Sequence, residues 1–525
     1  MKRRDFLKTT IPAATLLSSI NGYSVQGFLG NSQLQARLLE PSFDTDHVLV
    51  VVQLNGGNDG LNMVIPISNY SNYYNARTNI AIAENKILKL KGFAGTGLHP
   101  SMTGMQTLFN ENKLAIIQAV GYPSPNFSHF RATDIWMSGS DSNVNVVSGW
   151  AGRYLDNEYA NYPNDYPNTT MPDPLAIQIG SITSLTCQGP VVNMGMSITD
   201  PTSFYNLLNG TEDPAPNNYM GYELSYVRQV AKQTNKYALR IKEAAGTVSQ
   251  QSTYPTNNPL ADQLKIVARL VKGGLKTRIY MVSYGGFDTH ASQAVAADTS
   301  TGTHANLLRN VSSAIKAFMD DVQFLGIEQR VMGMTYSEFG RRIKSNGSGG
   351  TDHGAAAPLF LFGKKVNNVV WGTNPLIPAG VTVNDNIPFQ YDFRSVYASV
   401  LEKWFCVPPT DLQTILLKNF QSLDVISNSV CNITPPDTSG ENLISNYPNP
   451  FVQSTTIKFT TKGGHTLIQV IDSTGRMIRT VLEKDYAVAG TYTASFDGYN
   501  LPVGVYYTRL QNGPIQQVKA MLKVR

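Results

Sequence analysis

Residues 47–62 read HVLVVVQLNGGNDGLN. The first eight are a continuous apolar run rich in β-branched residues, the pattern of a strand buried on both faces. It ends in a glycine-rich loop, Asn55 to Asn62, that carries Asp59. The same layout recurs downstream. LAIIQAV (114–120) leads to Asn126-Phe127-Ser128-His129-Phe130-Arg131, where a helix is expected to begin. RIYMVSY (278–284) runs into Gly285-Gly286-Phe287-Asp288-Thr289-His290, and RVMGMTY (330–336) runs into Ser337-Glu338-Phe339-Gly340-Arg341. Thr351-Asp352-His353-Gly354 follows, ahead of a further strand at 358–363. Helices are expected near 104–110, 221–246, 259–272 and 303–325. Strands alternating with helices predict an α/β fold with a largely parallel sheet covered on both faces.

In such sheets the ligand site lies beyond the carboxyl ends of the strands. Asp59, Ser128, His129, Asp288, His290, Glu338, Arg341, Asp352 and His353 all occupy that position. Each also has an ordinary reading: Asp59 as a turn residue, Ser128 as a helix N-cap, Glu338 and Arg341 as an i,i+3 ion pair, and Asp352-His353 as a polar loop. Their recurrence after successive strands favours one shared site. Carboxylates with neutral imidazoles are ligands for Zn²⁺ or Mn²⁺, whereas all-oxygen sets suit Ca²⁺ or Mg²⁺. Beside such a divalent metal Ser128 would act as nucleophile, and Arg341 or His129 would steady an oxyanion or move a proton.

The chain has 525 residues, 42% apolar and 15% charged, with a formal net charge of +5. This length supports a full core and two to four domains. The positive charge sits at the ends: residues 1–30 carry +3, 444–525 carry +5, and the remainder carries −3. A nucleic-acid binder would concentrate basic residues in its main domain, so no nucleic-acid partner is expected. Beyond the first 20 residues no apolar run approaches the roughly 20 residues of a transmembrane segment.

The N-terminus, MKRRDFLKTTIPAATLLSSI, has the layout of a signal peptide over 1–30. Arg3-Arg4-x-Phe6-Leu7-Lys8 and modest hydrophobicity resemble a twin-arginine signal rather than an ordinary Sec signal, which implies the Tat translocase as a partner. That route exports folded protein and would allow metal loading before export. Cys187, Cys406 and Cys431 are too few for a disulfide framework. Cys406 and Cys431 would be free to pair in an oxidising compartment.

TPPDTSGEN (434–442) reads as part of a linker at 433–443. Beyond it, alternating runs split by turn residues predict a small antiparallel β-sandwich over 444–525. Asn446-Tyr447-Pro448-Asn449-Pro450-Phe451, Asp472-x-x-Gly475-Arg476 and Leu501-Pro502-x-Gly504-Val505-Tyr506 closely resemble the type A sorting domain of type IX secretion substrates. The resemblance implies carriage by type IX machinery to the surface of a Bacteroidetes-type cell.

Over roughly 45–405, Gly-Gly-x-Asp-Gly-Leu-Asn (56–62), Ser-His-Phe (128–130), Gly-Gly-Phe-Asp-Thr-His (285–290), Ser-Glu-Phe-Gly-Arg (337–341) and Gly-Thr-Asp-His-Gly (350–354) resemble the DUF1501 family. That family looks like a branch of the alkaline phosphatase/sulfatase superfamily, which gives an expected main domain of that type at 45–432. The resemblance implies a metal-dependent hydrolase acting on small-molecule or polymer esters of phosphate or sulfate. It matches Asp59, Asp288, His290, Asp352 and His353 to metal ligands and Ser128 to the nucleophile. The chain departs from the superfamily in two places. Asp288 and His290 are closer together than usual, and no histidine lies between His353 and His465. Either His129 or Glu338 completes the set, or a single metal binds. The alternative is a non-catalytic surface binding protein that keeps the fold.

Overall fold

The computed structural model describes residues 45–201, 235–427, 430–431, 444–472, 477–512 and 515–524. The signal segment expected at 1–30, the linker at 433–443 and the first part of the helix expected at 221–246 lie outside them. The described residues fall into two compact units, 45–431 and 444–524.

The first unit is built on a nine-stranded sheet. Along it lie Val370–Trp371, Leu114–Gly121, Ala357–Gly363, Val331–Tyr336, Val48–Leu54, Ile279–Tyr284, Ala176–Ile179 and Gly195–Ile198, with Tyr391–Asp392 also paired to Leu114–Gly121. Val48–Leu54 is central and parallel to both neighbours, Val50 lying opposite Tyr280 and Gly333. All seven of its residues are buried. Val48, Val50, Val52 and Leu54 enter one core, and Leu49 and Val51 enter the other. Side chains of a strand alternate faces, so a sheet covered on both sides needs an uninterrupted apolar run.

The first core is covered by helices Thr103–Asn110, Pro259–Lys272 and Thr303–Phe324. Pro259–Lys272 has strong end signals. The Asn258 side chain accepts from Ala261 N at 3.2 Å, proline occupies the first turn, and Arg269 and Lys272 sit in the last. The second core is covered by helices His129–Ser138, Trp150–Glu158, Phe393–Lys403 and Pro409–Leu416. The structure joins Cys406 to Cys431 and leaves Cys187 free and buried.

One strand is not parallel. Ala357–Gly363 runs antiparallel to both its neighbours. Its connection from Val331–Tyr336 contains no crossover helix, so the chain turns back directly. The segment 337–356 therefore leaves one strand and enters the next at the same rim, and it carries Glu338, Arg341, Asp352 and His353 there.

In the second unit, Ile444–Tyr447, Ser454–Thr461 and Gly490–Asp497 form one antiparallel sheet, and Met477–Tyr486, Gly464–Asp472, Gly504–Asn512 and Ile515–Lys523 form another. Buried and outward residues alternate along Ser454–Thr461, and Ile457, Phe459, Ile468, Val470, Phe496 and Leu510 make the core. Among the described residues no helix is long and apolar enough to cross a membrane.

Candidate metal centre

The rim loops bring His129, Asp288, His290 and His353 together. His290 Nε2 lies 3.1 Å and His353 Nε2 lies 3.3 Å from Asp288 Oδ1, and His129 Nε2 lies 3.6 Å from Asp288 Oδ2. His129, Asp288 and His353 place ligand atoms within 4.8 Å of one another. Close backbone packing makes this possible: a Cβ on Gly56 would stand 2.4 Å from Asp288 N, in a residue with φ of +121°. Only glycine fits there.

Each imidazole is oriented from behind. His129 Nδ1 lies 2.8 Å from Glu338 Oε1, His353 Nδ1 lies 2.8 Å from the Phe127 carbonyl, and His290 Nδ1 lies 3.2 Å from Asp352 Oδ1. These partners are acceptors, so each Nδ1–H donates, and each Nε2 faces the Asp288 carboxylate. Metal-binding histidines are held in this way. His290 Nε2 and His353 Nε2 are 2.9 Å apart. Two ring nitrogens at that distance, both facing one carboxylate, need a positive charge between them, a proton or a cation. The donor set therefore fits a divalent ion.

Glu338 is 2% exposed. Besides His129 it accepts from Gly56 N at 2.8 Å, and Ser337 Oγ lies 3.3 Å from its second oxygen. Arg341 is buried beneath the centre. Its Nε donates to Gly57 O at 2.6 Å and its Nη1 to Thr351 O at 2.7 Å. Its Nη2 donates to Gly56 O, to Phe287 O at 3.1 Å and to Asp288 Oδ1 at 2.6 Å. These bonds fasten three loops and take up the guanidinium, leaving no fork for an oxyanion. Glu338 and Arg341 do not pair with each other, because 337–341 is not helical. Burial raises the Asp288 carboxyl, but the hydrogen bond and charge of Arg341 outweigh it and hold the group below its usual range. Asp352 is lowered chiefly by the Asn346 amide, and burial lowers His353.

Asp59 is not brought to this cluster. It is 1% exposed, and both of its oxygens lie 2.8 Å from Arg77 Nη1, with Gln293 Nε2 donating to Oδ2 at 2.6 Å. Burial opposes its charge, yet Arg77 keeps it low. Ser128 is exposed at the N-cap of His129–Ser138, and its side chain makes no cap bond. A cleft of about 440 Å³ opens beside the centre. Asn55, Gly56, His129, Phe130, Thr133, Asp134, Asp288 and Glu338 line it; Ser128 does not. Arg77 and Gln293 carry no motif and are found only through their partners.

Behind Asp59, His304 Nε2 faces Asn58 Oδ1 at 3.0 Å, and the His99 ring lies 6.2 Å from that of His304. Burial pushes His304 down to about 4 and His99 down to about 3. Both are neutral in the fold at pH 7, while the unfolded chain takes up their protons near pH 6.5. Their contribution to stability is therefore complete above pH 6.5 and is lost as the pH falls through 6.5 toward 4 for His304 and toward 3 for His99. At pH 5 the loss is roughly 2 kcal/mol per histidine. Urea unfolding at pH 7.5 and pH 5 checks this; equal stabilities contradict it.

The family described as "Protein of unknown function (DUF1501)" matches residues 208–381, and "Secretion system C-terminal sorting domain" matches residues 445–524. No curated protein matches the chain. Among solved structures, the chain is similar to one from a study of glycosaminoglycan metabolism by Bacteroides thetaiotaomicron, at 10% identity and TM-score 0.31, covering 86% of this chain and 90% of that one. It is similar to the PsFucS1 sulfatase from Pseudoalteromonas sp., at 10% identity and TM-score 0.29, covering 94% and 87%. It is also similar to alkaline phosphatase from the Antarctic bacterium TAB5, at 9% identity and TM-score 0.25, covering 61% and 92%. The chain is thus similar to the DUF1501 family over 208–381 and, further on, to a secretion-system sorting domain over 445–524.

Proposed function

We propose that the protein is an exported, metal-dependent hydrolase of phosphate or sulfate esters. The observation that carries the reading is the convergence of three imidazole Nε2 atoms on one carboxylate beside an open cleft, with every Nδ1 anchored. His129, Asp288, His290 and His353 would hold the ion, and this nitrogen-rich set favours Zn²⁺ or Mn²⁺ over Ca²⁺ or Mg²⁺. A divalent ion there supplies positive charge to an ester oxygen. Glu338 and Asp352 orient His129 and His290, Arg341 holds Asp288, and Ser128 is the attacking hydroxyl. The second reading, a non-catalytic surface binding protein, draws on the absence of Ser128 from the cleft lining.

Among the described residues no lysine or arginine lines the cleft, whereas Asp134 and Glu338 do. A dianionic phosphate monoester meets more repulsion there than a monoanionic sulfate ester or phosphodiester. The Zn²⁺- or Mn²⁺-loaded protein is expected to hydrolyse p-nitrophenyl sulfate or bis(p-nitrophenyl) phosphate faster than p-nitrophenyl phosphate. The reverse order removes the charge argument, and no hydrolysis with either metal leaves the binding protein.

Delivery completes the proposal. The chain leaves the cytoplasm through the Tat translocase and reaches the cell surface or medium through type IX machinery that reads the C-terminal sandwich. Deletion of 444–525 is expected to leave folded protein in the periplasm, because that unit has its own core. Surface display of the truncated chain, read by protease accessibility on intact cells, contradicts the sorting assignment.

A further inference from the structure

We propose that Gln293 is a positioning residue that holds the two ligand-bearing loops in register, anchored on the buried Asp59–Arg77 ion pair. The inference rests on the metal-centre reading above. Gln293 is 1% exposed. Its Oε1 accepts from Thr289 Oγ1 at 3.0 Å and from Thr351 Oγ1 at 3.0 Å. Thr289 lies between Asp288 and His290, and Thr351 directly precedes Asp352 and His353. One amide oxygen thus joins the residue beside Asp288 and His290 to the loop that carries His353, and both threonines are buried.

The other end of the amide is fixed as firmly. Its Nε2 donates to Asp59 Oδ2, and an ionised carboxylate only accepts, so the amide cannot turn over. Asp59 is held in turn by Arg77, which is fully buried and donates from Nε to Ile343 O at 3.0 Å and from Nη2 to Arg342 O at 2.9 Å. The Gln293 backbone adds a bond to Gly349 O at 2.9 Å and receives one from His304 N at 3.1 Å. The network therefore reaches the segment after Arg341, the loop before Thr351 and the start of Thr303–Phe324. This assigns Asp59 a place behind the centre.

Loss of a group bonded directly to a metal ligand typically costs 10–100-fold in affinity; Gln293 acts one residue further back, so about 10-fold, the bottom of that range, is expected. In the full-length protein, Gln293→Leu is expected to weaken Zn²⁺ binding by that factor, measured by competition with a chromogenic chelator. Thr289→Val and Thr351→Val each remove one hydroxyl at almost constant volume and are expected to give smaller losses. Gln293→Glu sets a carboxylate against Asp59 and is expected to bind worst. D59N/Q293E reverses donor and acceptor across that contact and is expected to recover affinity over Q293E. Gln251→Leu serves as a control, because it breaks a bond to the buried Asp321 instead.

Wild-type affinity in folded Gln293→Leu, or an affinity loss no greater than in a control of equal melting temperature, overturns the proposal. If Gln293→Leu does not fold, unchanged affinity in both threonine variants overturns it. Failure of the wild type to bind Zn²⁺ or Mn²⁺ instead removes the metal centre itself, and this inference with it.

Discussion

Asp288→Ala is expected to abolish tight binding of the divalent ion and, with it, hydrolysis. Asp288 is the one carboxylate on which His290, His353 and His129 all converge, at 3.1, 3.3 and 3.6 Å. Without it three imidazoles remain, and no anionic ligand balances the ion's charge. An affinity loss of about 10³-fold or more is expected, beyond the 10–100-fold typical of a supporting residue. Stability of the metal-free protein should also fall. The Arg341 side chain is fully buried, and Asp288 is its carboxylate partner. Removing one partner of a fully buried pair costs about 3–5 kcal/mol. Asp288 is about half exposed and four carbonyls still accept from Arg341, so about 1–2 kcal/mol is expected here. Asp288→Asn separates the two effects. Its amide oxygen still accepts from Arg341, so stability is largely kept while the anionic ligand is lost. Elemental analysis and urea midpoints of both variants check this; metal retained by Asp288→Ala puts the ion elsewhere.

The loops singled out in the sequence do meet at one rim, but the partners within them were not legible there. Val48–Leu54 was legible because burial on both faces leaves an uninterrupted apolar run, and the loops after it and its neighbours hold the clustered residues. The three histidines singled out in the sequence, His129, His290 and His353, are the three that meet at Asp288. What it could not show was which charge faces which. Asp59 and Asp288 both follow glycines at strand ends and look alike locally. Asp59 is turned away by Arg77 and by Gln293, 234 residues distant, and neither belongs to a pattern. Arg341 looks like an oxyanion clamp until the chain folds and carbonyls 10 to 285 residues away take up its donors. The i,i+3 reading of Glu338 and Arg341 assumed a helix where the chain has an extended turn. Short strands such as Ala176–Ile179, and the direction of Ala357–Gly363, are set by the sheet edges and the connection, not by periodicity.

Ser128→Ala is expected to lower kcat by three or more orders of magnitude while leaving fold and metal content intact. A serine that begins a helix normally confounds such a test, because loss of its cap costs about 0.5–2 kcal/mol. Here the Ser128 side chain makes no cap bond, so the stability change should lie at or below the bottom of that range. The neighbouring ligand is protected as well, since His129 is oriented by Glu338 and not by Ser128. The turn before the helix is shaped by Asn126, whose side chain accepts from Ser128 N at 2.9 Å, a backbone bond that alanine keeps. Rate and stability are therefore separable at this position. A large fall in kcat with nearly unchanged KM and melting identifies the atom lost as the attacking oxygen, which covalent catalysis requires in every turnover. An unchanged rate in a metal-loaded, folded variant excludes Ser128. The next hydroxyl to change is then Thr133, which lines the cleft one helical turn further on, on the same side as His129.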